Sequence, residues 1–94
     1  MQENVLTGKV ALITGGARRV GAEIARTLHA HGMLLVIHYR ASKDDAHALQ
    51  AELEKRRPKS VALAKGDLLK AAQLPGIVEE AAAAFGRLDA LVNN

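Results

Sequence analysis

Short unbroken apolar runs alternate along this chain with longer segments in which apolar residues return every three or four positions. Val10-Ala11-Leu12-Ile13 is the first run, the mark of a strand covered on both faces. From Arg19 to His31, Val20, Ile24 and Leu28 recur at intervals of four, which predicts one face of a helix, with Gly32 as its stop. Leu34-Leu35-Val36-Ile37 predicts a second buried strand. Ser42 then reads as an N-cap with acids in the first turn, Ala46, Leu49 and Leu53 form an apolar stripe, and Pro58 ends this second helix. Val61-Ala62-Leu63-Ala64 predicts the third strand. Leu74, Ile77, Val78, Ala81 and Phe85 mark a third helix between Pro75 and Gly86, and Leu88 to Val92 a fourth strand. The order β-α-β-α-β-α-β with short turns predicts an α/β fold, a parallel sheet with helices on both faces.

Composition narrows the class. Ninety-four residues make one small domain or part of a larger one, and 49% apolar against 24% charged residues predicts a packed core. The absence of cysteine excludes disulfides and thiolate metal sites and fits a reducing cytoplasm. Met1-Gln2-Glu3-Asn4 lacks the basic-then-apolar pattern of a secretory signal. No apolar stretch approaches the roughly 18 residues that span a bilayer. A net charge of +3 suits an anionic ligand. The basic residues are scattered along helices, and two aromatics give little to stack bases on, so no nucleic-acid partner is expected.

The chemistry lies between the first strand and the first helix, in Thr14-Gly15-Gly16-Ala17-Arg18-Arg19-Val20-Gly21. A pyrophosphate needs backbone N–H donors at a helix N-terminus and a turn free of obstructing side chains. Gly15 and Gly16 allow the tight turn, and Gly21 lets the helix pack closely. A glycine-rich loop alone is a weak signal; its strand–loop–helix placement makes it a strong one.

These residues resemble the short-chain dehydrogenases/reductases. The family pattern is carried by Thr14, Gly15 and Gly21, by Asp67 in Gly66-Asp67-Leu68, and by Asn93-Asn94 after the fourth strand. The resemblance covers essentially the whole chain in order and spacing. It implies a Rossmann-type doubly wound sheet with strand order 3-2-1-4. The middle glycine of the loop is replaced by Arg19, which is similar to the pteridine reductases, as is His38-Tyr39-Arg40-Ala41-Ser42 after the second strand. The loop residues Gly15, Arg18, Arg19, Val20 and Gly21 are then expected to hold the cofactor. The resemblance further implies that Asp67 accepts a hydrogen bond from adenine with the Leu68 backbone beside it, although Asp67 can also be read as capping the segment that follows. It places Asn93 and Asn94 at the carboxyl end of the fourth strand, and gives Arg19 contact with both pyrophosphate and a pterin substrate.

An NAD site places an acid at the end of the second strand to bind the ribose 2′-hydroxyl. Here His38, Tyr39 and Arg40 stand there, with Ser42 and Lys43 beyond. A guanidinium can bind a 2′-phosphate bidentately where a carboxylate repels it, so NADP(H) is the expected cofactor. Arg18 is expected to face the same pocket. Tyr39 and Lys43 spell the family's Tyr-x-x-x-Lys signature, but on the adenosine side, and are read as coincidence. His29 and His31, two positions apart, fall on different helix faces and are expected as surface or helix-end residues, not metal ligands.

No catalytic tyrosine, lysine or polarising serine or aspartate is expected in this chain, because in the family these follow the Asn-Asn stretch. Residues 1–94 are therefore expected to be the N-terminal, cofactor-binding part of a single Rossmann domain, inactive alone and completed by the remainder of the same fold. The resemblance implies a homotetramer acting on a small molecule. The expected activity is NADPH-dependent reduction of a dihydropterin or dihydrofolate-type substrate. A 3-oxoacyl-type carbonyl reductase and a non-catalytic NADP(H) sensor are the alternatives; a gene of roughly 250 residues favours an enzyme and one ending near Asn94 the sensor.

Overall fold

The computed structural model describes residues 5–94, so the reading of Met1–Asn4 lies outside the described residues. The elements follow in the order β1 (Val10–Ile13), α1 (Arg19–Ala30), β2 (Leu34–Tyr39), α2 (Lys43–Arg56), β3 (Val61–Lys65), a 3-10 turn (Ala71–Gln73), α3 (Leu74–Phe85) and β4 (Ala90–Val92). All strand pairings are parallel and the sheet order is β3-β2-β1-β4.

The two-residue period of the strands divides the core. Ala11, Ile13, Leu35, Ile37 and Tyr39 pack with Ala22 and Ala25 of α1 and Ala46, Leu49 and Leu53 of α2. On the other face Val10, Leu12, Val36 and Ala64 pack with Ile77 and Ala81 of α3. Both faces of β1 and β2 are thus buried, which is why their sequences are unbroken apolar runs. At one edge, β4 leaves Leu91 60% exposed. Asp89 fixes its register: the Asp89 carboxylate accepts the Val10 N–H at 2.8 Å, while the Asp89 N–H donates to the Val10 carbonyl at 2.9 Å. The adjacent Arg87 guanidinium and that Val10 N–H hold the Asp89 carboxyl below its ordinary range.

Three expectations are corrected. The buried residues of α1 are Gly21, Ala22, Ala25 and His29; of the Val20–Ile24–Leu28 stripe, Ile24 and Leu28 pack half-buried against the same core, and Val20 is 64% exposed. Small residues win the buried positions because they let the helix axis approach the strands. Second, His29 is fully buried: its Nε2–H donates to Ser60 Oγ at 2.7 Å, and the Ser60 hydroxyl in turn donates to the Arg57 carbonyl. Burial and the neighbouring Arg57 and Arg56 charges lower the His29 pKa. Third, Ser42 occupies the N-cap position of α2 without a side-chain capping bond.

Candidate functional site

The carboxyl ends of β1 and β4 lie side by side, and the chain leaves β1 toward a helix on one face of the sheet while α3, which leads into β4, covers the other. That divergence opens the crevice in which open α/β sheets bind ligands. The glycine-rich loop lies at its mouth. Gly15 has φ +60°, a left-handed conformation that favours glycine. At Gly21 a Cβ would come within 2.4 Å of the Gly15 carbonyl oxygen and 2.8 Å of Asn94 Nδ2. The close approach, read from the sequence as helix to strand, is one of helix to loop and to the residue after β4.

Thr14 joins the loop to β4. Its Oγ1 accepts the Asn94 N–H at 3.0 Å and has two acceptors at 3.3 Å, the Val92 carbonyl and Asn93 Oδ1, for its single proton. Asn94 Nδ2 donates to the Gly15 carbonyl at 3.2 Å. The two asparagines thus hold the loop from one side. Thr14, quoted in the sequence only as part of a pattern, is their common partner.

Arg19 opens α1 with φ +53°. A side chain at that dihedral costs about 1–2 kcal/mol, a cost that glycine would not carry. Among the described residues the N–H groups of Arg18, Arg19, Val20 and Gly21 have no acceptor, as expected in the first turn of a helix. They form a set of donors with the positive end of the helix dipole behind them. Arg18 borders three adjoining clefts around this loop, sharing one of about 390 Å³ with Gly15, Arg19, Val20 and Asn94. A second, of about 320 Å³, brings Arg18 together with Tyr39, Arg40 and Ser42 beside Gly15. Arg18 also pairs with Asp45, at 3.4 Å, on the exposed first turn of α2.

Two residues expected at the cofactor also have partners within the protein. His38, 4% exposed, spends both ring nitrogens on backbone: Nδ1 accepts the Gly15 N–H at 3.1 Å and Nε2 donates to the Gly66 carbonyl at 2.8 Å. Tyr39 ends β2 and is packed in the core beneath the cleft it borders, on a different element from Lys43. Asp67 closes a turn, its Oδ1 accepting the Leu69 N–H at 2.9 Å, and the Leu68 side chain packs toward the α3 face. Arg40 is exposed and without a protein partner among the described residues.

This geometry can bind an anionic dinucleotide: amides and a helix terminus for a pyrophosphate, and two guanidinium groups around a second cleft. Known proteins agree in kind. The chain is 42% identical over 89 residues to an uncharacterised oxidoreductase of Methylorubrum extorquens, covering 95% of this chain and 36% of that protein. It is 36% identical to pteridine reductase 1 of Leishmania tarentolae, covering 94% and 36%, and 37% identical to a hydroxynaphthalene reductase-like protein of Metarhizium robertsii, covering 95% and 33%. It spans about a third of the length of these relatives. The family profile described as short chain dehydrogenase matches residues 9–94, and with the strand–loop–helix site in place, the chain belongs to that family.

Proposed function

We propose that this chain is the NADP(H)-binding part of a short-chain reductase that passes hydride to a small molecule, a dihydropterin or dihydrofolate-type compound. One observation carries the cofactor choice: Arg18 and Arg40 border a single cleft at the end of β2 whose lining includes no carboxylate, with Asp45 pairing to Arg18 only from the first turn of α2. A 2′-phosphate suits that cleft; a bare ribose 2′-hydroxyl has no acid to bind it. The amides of Arg18 to Gly21 would take the pyrophosphate, and Gly21 keeps their approach open. When bound, the nicotinamide supplies the hydride. The chain's own residues bind and orient: Asn93, Asn94 and Thr14 steady the loop, and Asp67 with Leu68 would border the adenine. Arg19, exposed beside the loop amides, would reach the substrate.

The pterin reading draws on the likeness to the Leishmania pteridine reductase and on Arg19 in the loop. The carbonyl-reductase reading draws on the hydroxynaphthalene reductase-like relative. Steady-state reduction of 7,8-dihydrobiopterin, of a 3-oxoacyl thioester and of a hydroxynaphthalenone by the full natural polypeptide separates them. Oxidation of NADPH faster than NADH with the dihydropterin alone supports the proposal. Turnover only with a carbonyl substrate, or a preference for NADH, contradicts it.

A further inference from the structure

We infer that His38 is a positioning residue of the dinucleotide site, fastening the glycine-rich loop after β1 to the Gly66-Asp67 turn after β3. The inference rests on the reading above that these two loops hold a dinucleotide.

Three segments converge on one imidazole. The Gly15 N–H can only donate, so His38 Nδ1, 3.1 Å away, is its acceptor and carries no proton. The ring proton is therefore on Nε2, where it meets the Gly66 carbonyl at 2.8 Å. The backbone repeats the stitch: the His38 carbonyl accepts the Gly16 N–H at 3.1 Å, and the Tyr39 carbonyl accepts the Gly66 N–H at 3.1 Å. Four hydrogen bonds thus tie irregular backbone on both sides of β2 to its last two residues. A buried histidine is often no more than a satisfied core residue. Here both partners belong to the loops read as meeting the ligand: Asn94 holds the first loop from the β4 side, and His38 is the side chain that ties it to the second. Binding the Gly15 N–H inward also removes that amide from those open to an anion.

The two halves of the role can be separated. His38→Asn keeps an acceptor where Nδ1 sits and loses the reach to Gly66. His38→Gln keeps a donor where Nε2 sits and loses the acceptor for Gly15. The experiment measures amide hydrogen exchange at Gly15 and Gly66 in the cofactor-free full natural polypeptide, NADPH titration, and the urea unfolding midpoint of each variant. H38Q is expected to exchange Gly15 about tenfold faster than H38N and to bind NADPH about tenfold more weakly than H38N, at matched unfolding midpoints. H38N is expected to show the converse exchange pattern, with Gly66 the faster site. Equal Gly15 exchange in the two variants, or NADPH losses that only track the unfolding midpoint, would overturn the positioning role. Wild-type protein that binds neither NADPH nor NADH would instead overturn the dinucleotide reading, and with it the cofactor half of the inference, whatever the exchange rates.

Discussion

Asn94 Nδ2 donates to the Gly15 carbonyl while lying where a side chain on Gly21 would have to go. The end of β4, the glycine-rich loop and the start of α1 therefore occupy one small volume, and none of the three can move alone. Gly21→Ala puts a methyl against backbone that cannot rotate away. Overpacking of this kind costs about 1–3 kcal/mol, against roughly 1 kcal/mol regained from helix propensity. A net loss of up to about 2 kcal/mol in urea unfolding is expected, together with weaker dinucleotide binding. Unchanged stability would show that the loop is looser than its contacts imply.

Arg19 poses the opposite case. Its φ of +53° is strained for arginine and unstrained for glycine. Arg19→Gly is expected to leave the fold as stable or more stable by about 1 kcal/mol, while weakening NADPH binding through the lost charge. Thermal unfolding with and without NADPH checks both halves. A variant that is less stable, or one that binds as well as wild type, contradicts the argument.

Asp45 holds Arg18 at 3.4 Å in an exposed pair. Such pairs contribute about 0–1 kcal/mol, so releasing the guanidinium has a bounded effect. Asp45→Asn is expected to tighten NADPH binding by up to about fivefold and to leave NADH binding unchanged. Titration of both cofactors decides it; equal change for both would mean that Arg18 does not meet the 2′-phosphate.

His29 gives the fold a pH dependence. Its folded pKa is lowered, chiefly by burial and then by Arg57 and Arg56. The unfolded chain, with the ordinary value of 6.5, therefore takes up the proton first as pH falls. The contribution is fully present above about pH 6.5 and is lost progressively below it. Urea midpoints measured from pH 8 to pH 5 should fall, and the fall should flatten in His29→Gln. A pH-independent midpoint in wild type would contradict the burial argument.

The sheet was legible in the sequence because β1 and β2 are buried on both faces, and an unbroken run such as Val10–Ile13 has no other use in a short segment. The side of α1 was legible only in part. Ile24 and Leu28 do pack against the core, half-buried, but Val20 is exposed, and Ala22 and Ala25 take the buried positions because closeness to the sheet outweighs side-chain bulk. In the site, the glycine-rich loop and the basic end of β2 could be read directly, since their chemistry is local. The work of His38 and Thr14 could not. It depends on Gly66 and Asn94, 28 and 80 positions away, and the spacing of polar residues in one sequence carries no record of such partners. His29 was misplaced for the same reason, its partner Ser60 being 31 residues distant.

The central claim is that the end of β2 selects a 2′-phosphate, and the most direct measurement is the ratio of NADH to NADPH dissociation constants in wild type and in Arg40→Asp, using the full natural polypeptide. A charge-assisted bond to a phosphate contributes about 1.5–3 kcal/mol. The account therefore predicts a wild-type ratio of about ten or more, which collapses toward one in the variant through loss of NADPH affinity. A wild-type protein that binds both cofactors equally, or a variant that loses both to the same extent, would contradict it.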